Sequence, residues 1–283
     1  MEYVTLANGV NMPLLGCGVF QIDPRETEQR VLDAIAVGYR SIDTAQGYYN
    51  EAGVGSAIAK CGIPRSEIFL TTKIWISNAG YKRAKASIEE SLKKLQTDYI
   101  DLMLIHQPFG DYYGTYRAME EAYHAGKLRA IGVSNFMADR FIDIAGFMEI
   151  PPMVNQLEAH VFQQQRMVRP VLSEYKAQLM AWSPLAQGQN GIFQNEVLKK
   201  IGDMHHKTTA QVNLRFLIQS GIAVIPKSVH KERLRENFSI FDFELTAKEM
   251  RAIQSLDLGR SQFIDHRACE VAKMFVSAGK VVS

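Results

Sequence analysis

Cysteine is scarce. Cys17, Cys61 and Cys269 stand far apart in 283 residues and form no C-x-x-C pair. An odd, scattered set argues against a disulfide framework and against a zinc cluster. Long apolar runs are also missing, and none approaches the ~18 residues that a membrane helix needs. The opening MEYVTLANGV has neither the basic region nor the apolar core of a secretory signal. Charge of one sign is absent too. Thirty-two Lys and Arg against 30 Asp and Glu leave +2, which supplies no field for nucleic acid or an anionic membrane. No Pro-, Ser- or Gly-rich linker divides the chain. What is present is 47% apolar and 22% charged, enough for a large core and too apolar for disorder. The expectation is a cytoplasmic α/β protein, one domain over residues 1–283, monomeric or weakly homo-oligomeric, with no nucleic-acid or membrane partner.

Short apolar runs alternate with helical patterns along the whole chain. Asn8-Gly9 lies between two apolar stretches and predicts an N-terminal β-hairpin with a type I′ turn. Strands follow at 14–19, 40–43, 68–74, 100–105, 128–133, 153–156, 178–182 and 223–226. Between them, Ala84, Ile88, Leu92 and Leu95 recur on one helix face. Residues 27–37, 114–125, 165–175 and 208–219 read as helices as well, the last with Thr208 or Thr209 at its N-cap. The strands are short, apolar on both sides and rich in Ile, Leu and Val, as parallel strands buried on both faces are. Eight strand–helix units predict a (β/α)₈ barrel, with an open doubly wound sheet as the rival.

In such a barrel the chemistry lies at the carboxyl ends of the strands. Three consecutive strands there close with ionisable groups, Asp43, Lys73 and His106, and Tyr48 stands five residues beyond Asp43. Taken singly, each has an ordinary explanation: a turn aspartate, a surface lysine, a core histidine, a rim aromatic. Their joint placement at one end of neighbouring strands points to chemistry. A tyrosine ionises near 10 and is a poor acid unaided, and a nearby ammonium favours its phenolate. An aspartate holds the ammonium, and a histidine orients a carbonyl oxygen. The set suits protonation of an oxygen that is gaining charge, as in carbonyl reduction.

The runs GYRSIDTAQGYYNEAGVGSAI (38–58), TTKIW (71–75), DLMLIHQP (101–108), GKLRAIGVSNF (126–136), VNQLEAH (154–160), AWSPLAQG (181–188) and IPKSVHKERLRENF (225–238) resemble the aldo-keto reductase family. They span nearly the whole chain in the family's order. The resemblance implies a (β/α)₈ barrel that uses NADPH more than NADH and no metal. It also implies a catalytic tetrad of Asp43, Tyr48, Lys73 and His106, with Tyr48 the general acid in reduction.

No G-x-G-x-x-G run stands in a strand–helix context, so a dinucleotide would bind in a non-Rossmann manner. The resemblance places the nicotinamide against Trp182, where many members have Tyr, with its amide on Ser134, Asn135 and Gln156. It assigns Lys227, Ser228 and Arg233 to the adenosine 2′-phosphate, Glu236 and Asn237 to the adenine, and Ser183 and Leu185 to the pyrophosphate channel. The segment 227–238 has a basic front and leads into a helix, and helix starts and cationic side chains suit phosphate; without the resemblance a solvated basic helix is the plainer reading.

Phe20, Tyr48, Trp75, His106 and Gln107 are expected around the substrate. Gln107 occupies a position where many members carry a large aromatic, and the loop 108–114 is short. Both features resemble microbial members that reduce small aldehydes, dicarbonyls and keto-sugars. The alternative is a nucleotide-sensing regulatory subunit on the same barrel. A glycosidase needs two carboxylates, and only Asp43 stands out at a strand end. Metal-dependent hydrolysis is weaker still, since His205-His206 lacks helix spacing.

Overall fold

The computed structural model describes residues 1–280, so the last three residues of the expected 1–283 domain lie outside the described residues. The chain opens with a hairpin in which β1 (Tyr3–Thr5) pairs antiparallel with β2 (Asn11–Pro13). Its turn is not the predicted type I′, which needs positive φ at both central residues. Gly9 has φ +86°, whereas Asn8 is not left-handed. The Gly9 N–H donates to the Leu6 carbonyl at 2.9 Å, which makes a wider loop. Asn8 uses its side chain instead, donating to the Arg129 carbonyl at 2.8 Å. That bond fastens the hairpin across the amino-terminal end of the strands.

Eight parallel strands follow: β3 (Cys17–Gly18), β4 (Ser41–Asp43), β5 (Phe69–Ile74), β6 (Leu102–Ile105), β7 (Ile131–Ser134), β8 (Val154–Glu158), β9 (Gln178–Trp182) and β10 (Ala223–Val224). Each pairs with its neighbour in chain order. The two outer strands meet through the parallel bridge Leu15↔Val224. There the Gly16 N–H donates to the Val224 carbonyl and the Val224 N–H to the Leu14 carbonyl, both at 2.8 Å. The sheet therefore closes into a barrel, and the open doubly wound alternative falls. The first and last strands are shorter than the predicted 14–19 and 223–226, because the closure is made by this isolated bridge rather than a full ladder.

The helices are α1 (Pro24–Val37), α2 (Glu51–Lys60), α3 (Tyr81–Leu95), α4 (Tyr112–His124), α5 (Ala138–Phe147), α6 (Arg169–Glu174), α7 (Glu196–His205), α8 (Thr209–Gln219), α9 (Lys231–Phe238), α10 (Ala247–Gln254) and α11 (Cys269–Gly279). On α3 the predicted face Ala84, Ile88, Leu92 and Leu95 is buried. Thr208 caps α8 in a reciprocal capping box with Gln211. α6 starts four residues after the predicted 165. Gln165 is left-handed at φ +55° and its amide donates to the Glu158 carbonyl at 2.6 Å, so it belongs to a turn. Among the described residues no helix is long and apolar enough to cross a membrane.

Candidate active site

The side chains at the carboxyl ends of the strands line one cleft of about 1070 Å³. Asp43 ends β4, and the chain turns through a short 3-10 segment, Gln46–Tyr48, that brings Tyr48 back over the barrel mouth. Lys73 lies on β5 and is completely buried. His106 directly follows β6.

The Lys73 ammonium donates to Asp43 Oδ1 at 2.5 Å, to the Thr44 carbonyl at 2.9 Å and to the Tyr48 hydroxyl at 3.4 Å. The second Asp43 oxygen accepts from Gln156 Nε2 at 2.8 Å, so the carboxylate is held at both ends. Lys73 does not line the cleft, whereas Asp43, Tyr48 and His106 do. It lies behind the tyrosine. The Tyr48 ring meets the His106 ring edge-on, with centroids 5.5 Å apart.

Burial pushes the Tyr48 hydroxyl above the ordinary tyrosine value, Lys73 pulls it back, and Asp43 adds to the rise. The net direction is upward. Lys73 was expected to lower it, and that pull is present but outweighed by desolvation. Burial alone would depress Lys73, yet the charges of Asp43 and Tyr48 hold it above the ordinary lysine value. Burial, reinforced by the Lys73 charge, keeps His106 well below the usual imidazole range. His106 is therefore neutral. Its Nδ1 is sealed without a hydrogen-bond partner. A buried acceptor tolerates this better than a buried N–H, so the proton belongs on Nε2, the nitrogen left for the cleft.

Trp75 and Phe20 flank this centre. Phe20 lies 4.9 Å from the Tyr48 ring and Trp75 4.9 Å from the His106 ring. Gln46 fixes Trp75, its Oε1 accepting from the Trp75 N–H at 3.0 Å and from Asn78 Nδ2 at 2.8 Å. Gly47 packs closely under the same ring: a Cβ there would sit 3.0 Å from the Trp75 indole, which would have to give by a few tenths of an ångström.

A second group lies beside the first. Trp182 Nε1 donates to Asn135 Oδ1 at 2.9 Å, and Asn135 Nδ2 donates to the His106 carbonyl at 3.0 Å. Ser134 donates to the Gln156 carbonyl at 2.9 Å. Asn135 and Ser183 are both left-handed, at φ +66° and +48°. Asparagine adopts that conformation readily; serine there is the more strained, a feature that collects at binding sites.

From Trp182 the cleft runs past Ser183 and Leu185 to Lys227, Ser228, Arg233, Glu236 and Asn237. Every sequence-predicted cofactor and substrate residue thus lines it. Neither Lys227 nor Arg233 pairs with a carboxylate among the described residues. The donor set fits a dinucleotide phosphate: two uncommitted cations and a hydroxyl where α9 begins, with a flat indole and amide groups at the other end. Glu236 differs in detail, since its carboxylate is already engaged by the Thr208 hydroxyl at 2.6 Å.

Sequence reasoning missed part of the wall. Phe193, Thr208, Thr209, Ala210 and His230 line the cationic end, and Phe263, Ile264, His266 and Phe275 the end that holds Trp182 and His106. The Thr208–Thr209 pair carries only a helix-cap signal in the sequence. The C-terminal residues carry no motif.

The Aldo/keto reductase family model matches residues 14–258. Glyoxal reductase of Bacillus subtilis (strain 168) is 47% identical over 258 residues, 90% of this chain and 93% of that protein. Methylglyoxal reductase DkgA of Escherichia coli (strain K12) is 42% identical over 263 residues, 91% of this chain and 94% of that one. The crystal structure of a Bombyx mori aldo-keto reductase in complex with NADP superposes with a TM-score of 0.87 at 33% identity, covering 92% of this chain and 94% of the other. The chain belongs to the aldo/keto reductase family, and it is a carbonyl oxidoreductase on a (β/α)₈ barrel.

Proposed function

We propose that this chain reduces small aldehydes, dicarbonyls or keto-sugars to alcohols with NADPH, with Tyr48 as the proton donor. The observation that carries this reading is the Lys73 ammonium set between Asp43 at 2.5 Å and the Tyr48 hydroxyl at 3.4 Å. The oxidoreductase is NADP-dependent. Trp182, Ser134, Asn135 and Gln156 would hold the nicotinamide end of the cofactor. Lys227, Ser228, Arg233 and Asn237 would hold its adenosine end, with Ser183 and Leu185 between and Glu236 beside the adenine. Bound there, NADPH supplies a hydride to the carbonyl carbon.

The chain's own residues do the rest. His106 Nε2–H donates to the carbonyl oxygen and orients it. The Tyr48 hydroxyl transfers its proton to that oxygen as charge develops. Its raised pKa keeps the proton in place until then, and the adjacent Lys73 charge stabilises the phenolate left behind. Asp43 keeps Lys73 charged and aimed. Phe20, Trp75 and Gln107 enclose the substrate. One barrel domain over 1–283, cytoplasmic and monomeric or weakly homo-oligomeric, needs no nucleic-acid or membrane partner for this work. No observation favours the regulatory alternative.

The test is NADPH oxidation by the purified chain, followed by the loss of reduced-nicotinamide absorbance with methylglyoxal and with a nitrobenzaldehyde. Steady turnover supports the reading. Tight NADPH binding with no turnover of any carbonyl overturns it.

A further inference from the structure

Gln107 is buried immediately beside the centre described above, and its side-chain orientation is set by a chain of hydrogen bonds that begins at Trp182. An indole N–H only donates, so the Asn135 atom 2.9 Å from Trp182 Nε1 is the oxygen. Asn135 Nδ2 then faces the His106 carbonyl at 3.0 Å, the Ser134 hydroxyl oxygen at 3.2 Å and Gln107 at 3.4 Å. Two donors would repel, so the Gln107 atom there is the carbonyl Oε1. His266 Nε2 lies 3.0 Å from the same oxygen and must be the donor. Gln107 Nε2 is left with two N–H groups, no hydrogen bond to the protein among the described residues, and a place on the cleft wall.

We propose that His266 is a positioning residue that holds Gln107 with its amide nitrogen toward the substrate, creating a subsite for a second oxygen close to the reacting carbonyl. This rests on the carbonyl-reductase reading. Gln107 Nε2 is not among the sealed side-chain atoms, so its N–H groups open on the cleft, where a substrate oxygen can take the place of water. His106, the preceding residue, addresses the carbonyl oxygen itself, so the oxygen that suits Gln107 belongs to a neighbouring carbon. The substrate class is therefore 2-oxo- and 2-hydroxy-carbonyls.

His266 is suited to the task. It stacks on Phe275 of α11, with centroids 5.6 Å apart and planes at 11°, and Phe275 in turn stacks on Phe109 at 5.4 Å. Burial lowers its pKa to about 4, against the opposing charges of Asp265 and Glu158. Near neutral pH the ring carries one proton, for which the Gln107 oxygen and the Ile264 carbonyl compete; the 3.0 Å contact to Gln107 is the one with hydrogen-bond geometry and places the proton on Nε2.

The experiment compares methylglyoxal with propanal, which differ in the second carbonyl, at saturating NADPH. His266→Phe keeps a ring for Phe275 but removes the donor, and Gln107→Leu removes the subsite. Each is expected to lower the methylglyoxal-to-propanal ratio of kcat/KM about three- to tenfold, the size of one hydrogen bond, with the loss falling on the KM for methylglyoxal. The double variant is expected to lose no more than Gln107→Leu alone, and His266→Gln, which keeps an N–H donor, to restore most of the ratio. A ratio unmoved by Gln107→Leu overturns the subsite. A ratio lowered by Gln107→Leu but not by His266→Phe overturns the role of His266. If His266→Phe fails to fold, His266→Gln decides: a retained ratio supports the proposal, and a ratio as low as that of Gln107→Leu overturns it. A wild-type chain that turns over neither substrate overturns the carbonyl-reductase reading and this inference with it, whereas turnover with an unmoved ratio overturns this inference alone.

Discussion

The Lys73 ammonium reaches the Tyr48 hydroxyl at 3.4 Å while it is completely buried and bound to Asp43. Water does not reach it, so its charge acts on the phenol with little screening. In the proposed mechanism the Tyr48 proton is held until a substrate oxygen takes it, and the phenolate then forms beside a fixed cation. Replacing Tyr48 by Phe is expected to cut kcat by about 10²–10⁴-fold, the usual worth of general acid catalysis. Cofactor binding should hardly change. More than about a third of the wild-type kcat, on that scale, would remove tyrosine from the role.

Lys73→Met tests the same centre through stability. It strands the Asp43 carboxylate, which is 2% exposed, and breaking a buried pair by removing one partner costs about 3–5 kcal/mol. Asp43→Asn combined with Lys73→Met removes the stranded charge, so the double variant should melt at a higher temperature than Lys73→Met alone. Both should be nearly inactive. Thermal unfolding followed by circular dichroism distinguishes the cases, and equal melting temperatures for the two would contradict an uncompensated charge.

Arg233→Ala should weaken NADPH much more than NADH. Arg233 lines the far end of the cleft without a carboxylate partner among the described residues, and charge-assisted contacts to phosphate are the strong kind. NADH lacks the 2′-phosphate. The two tryptophans, Trp75 and Trp182, both line the cleft, so quenching of their fluorescence reports binding of either cofactor. Equal losses for NADPH and NADH would place the 2′-phosphate elsewhere.

Acid should destabilise the fold through its buried histidines. Burial holds His106 well below the ordinary imidazole value and lowers His266 to about 4. Between those folded values and the ordinary ~6.5, the unfolded chain binds more protons than the native one, so stability rises with pH. Their contribution is complete above about 6.5 and is lost as pH falls toward the folded values, at up to about 1.4 kcal/mol per pH unit for each group. Glu51, raised by burial, pulls the opposite way, because its native state keeps a proton that the unfolded chain releases. The comparison that isolates His266 is therefore the slope of melting temperature against pH between 7 and 5, in wild type and in His266→Phe. The variant should show the shallower slope, and identical slopes would mean that His266 is not held neutral by the fold.

The grouping of Asp43, Lys73 and His106 was legible in the sequence because a parallel barrel turns a linear rule into a spatial one. Apolar runs mark the strands, strand ends mark one face, and Asp43, Lys73 and His106 close three consecutive runs. Trp182, Ser134, Asn135 and Gln156 follow by the same logic. Local chemistry was readable at the Thr208 cap, since a capping box needs only four adjacent residues. The Asn8-Gly9 turn type was not, because the Asn8 side chain is drawn to the Arg129 carbonyl, 121 residues away. The far wall of the site belonged to tertiary structure alone. Residues 261–268 have no periodicity to read, and their course is set when Glu158 accepts from the Ser261 hydroxyl and the Gln262 N–H. α11 then lays Phe275 against Ile76 and Phe109. His266 meets Gln107 across 159 residues of chain. Hydrophobic period and capping chemistry act over a few residues and can be read directly. A contact of that span exists only once the barrel has closed, because only then do burial and hydrogen bonding outweigh the entropy of bringing the two segments together.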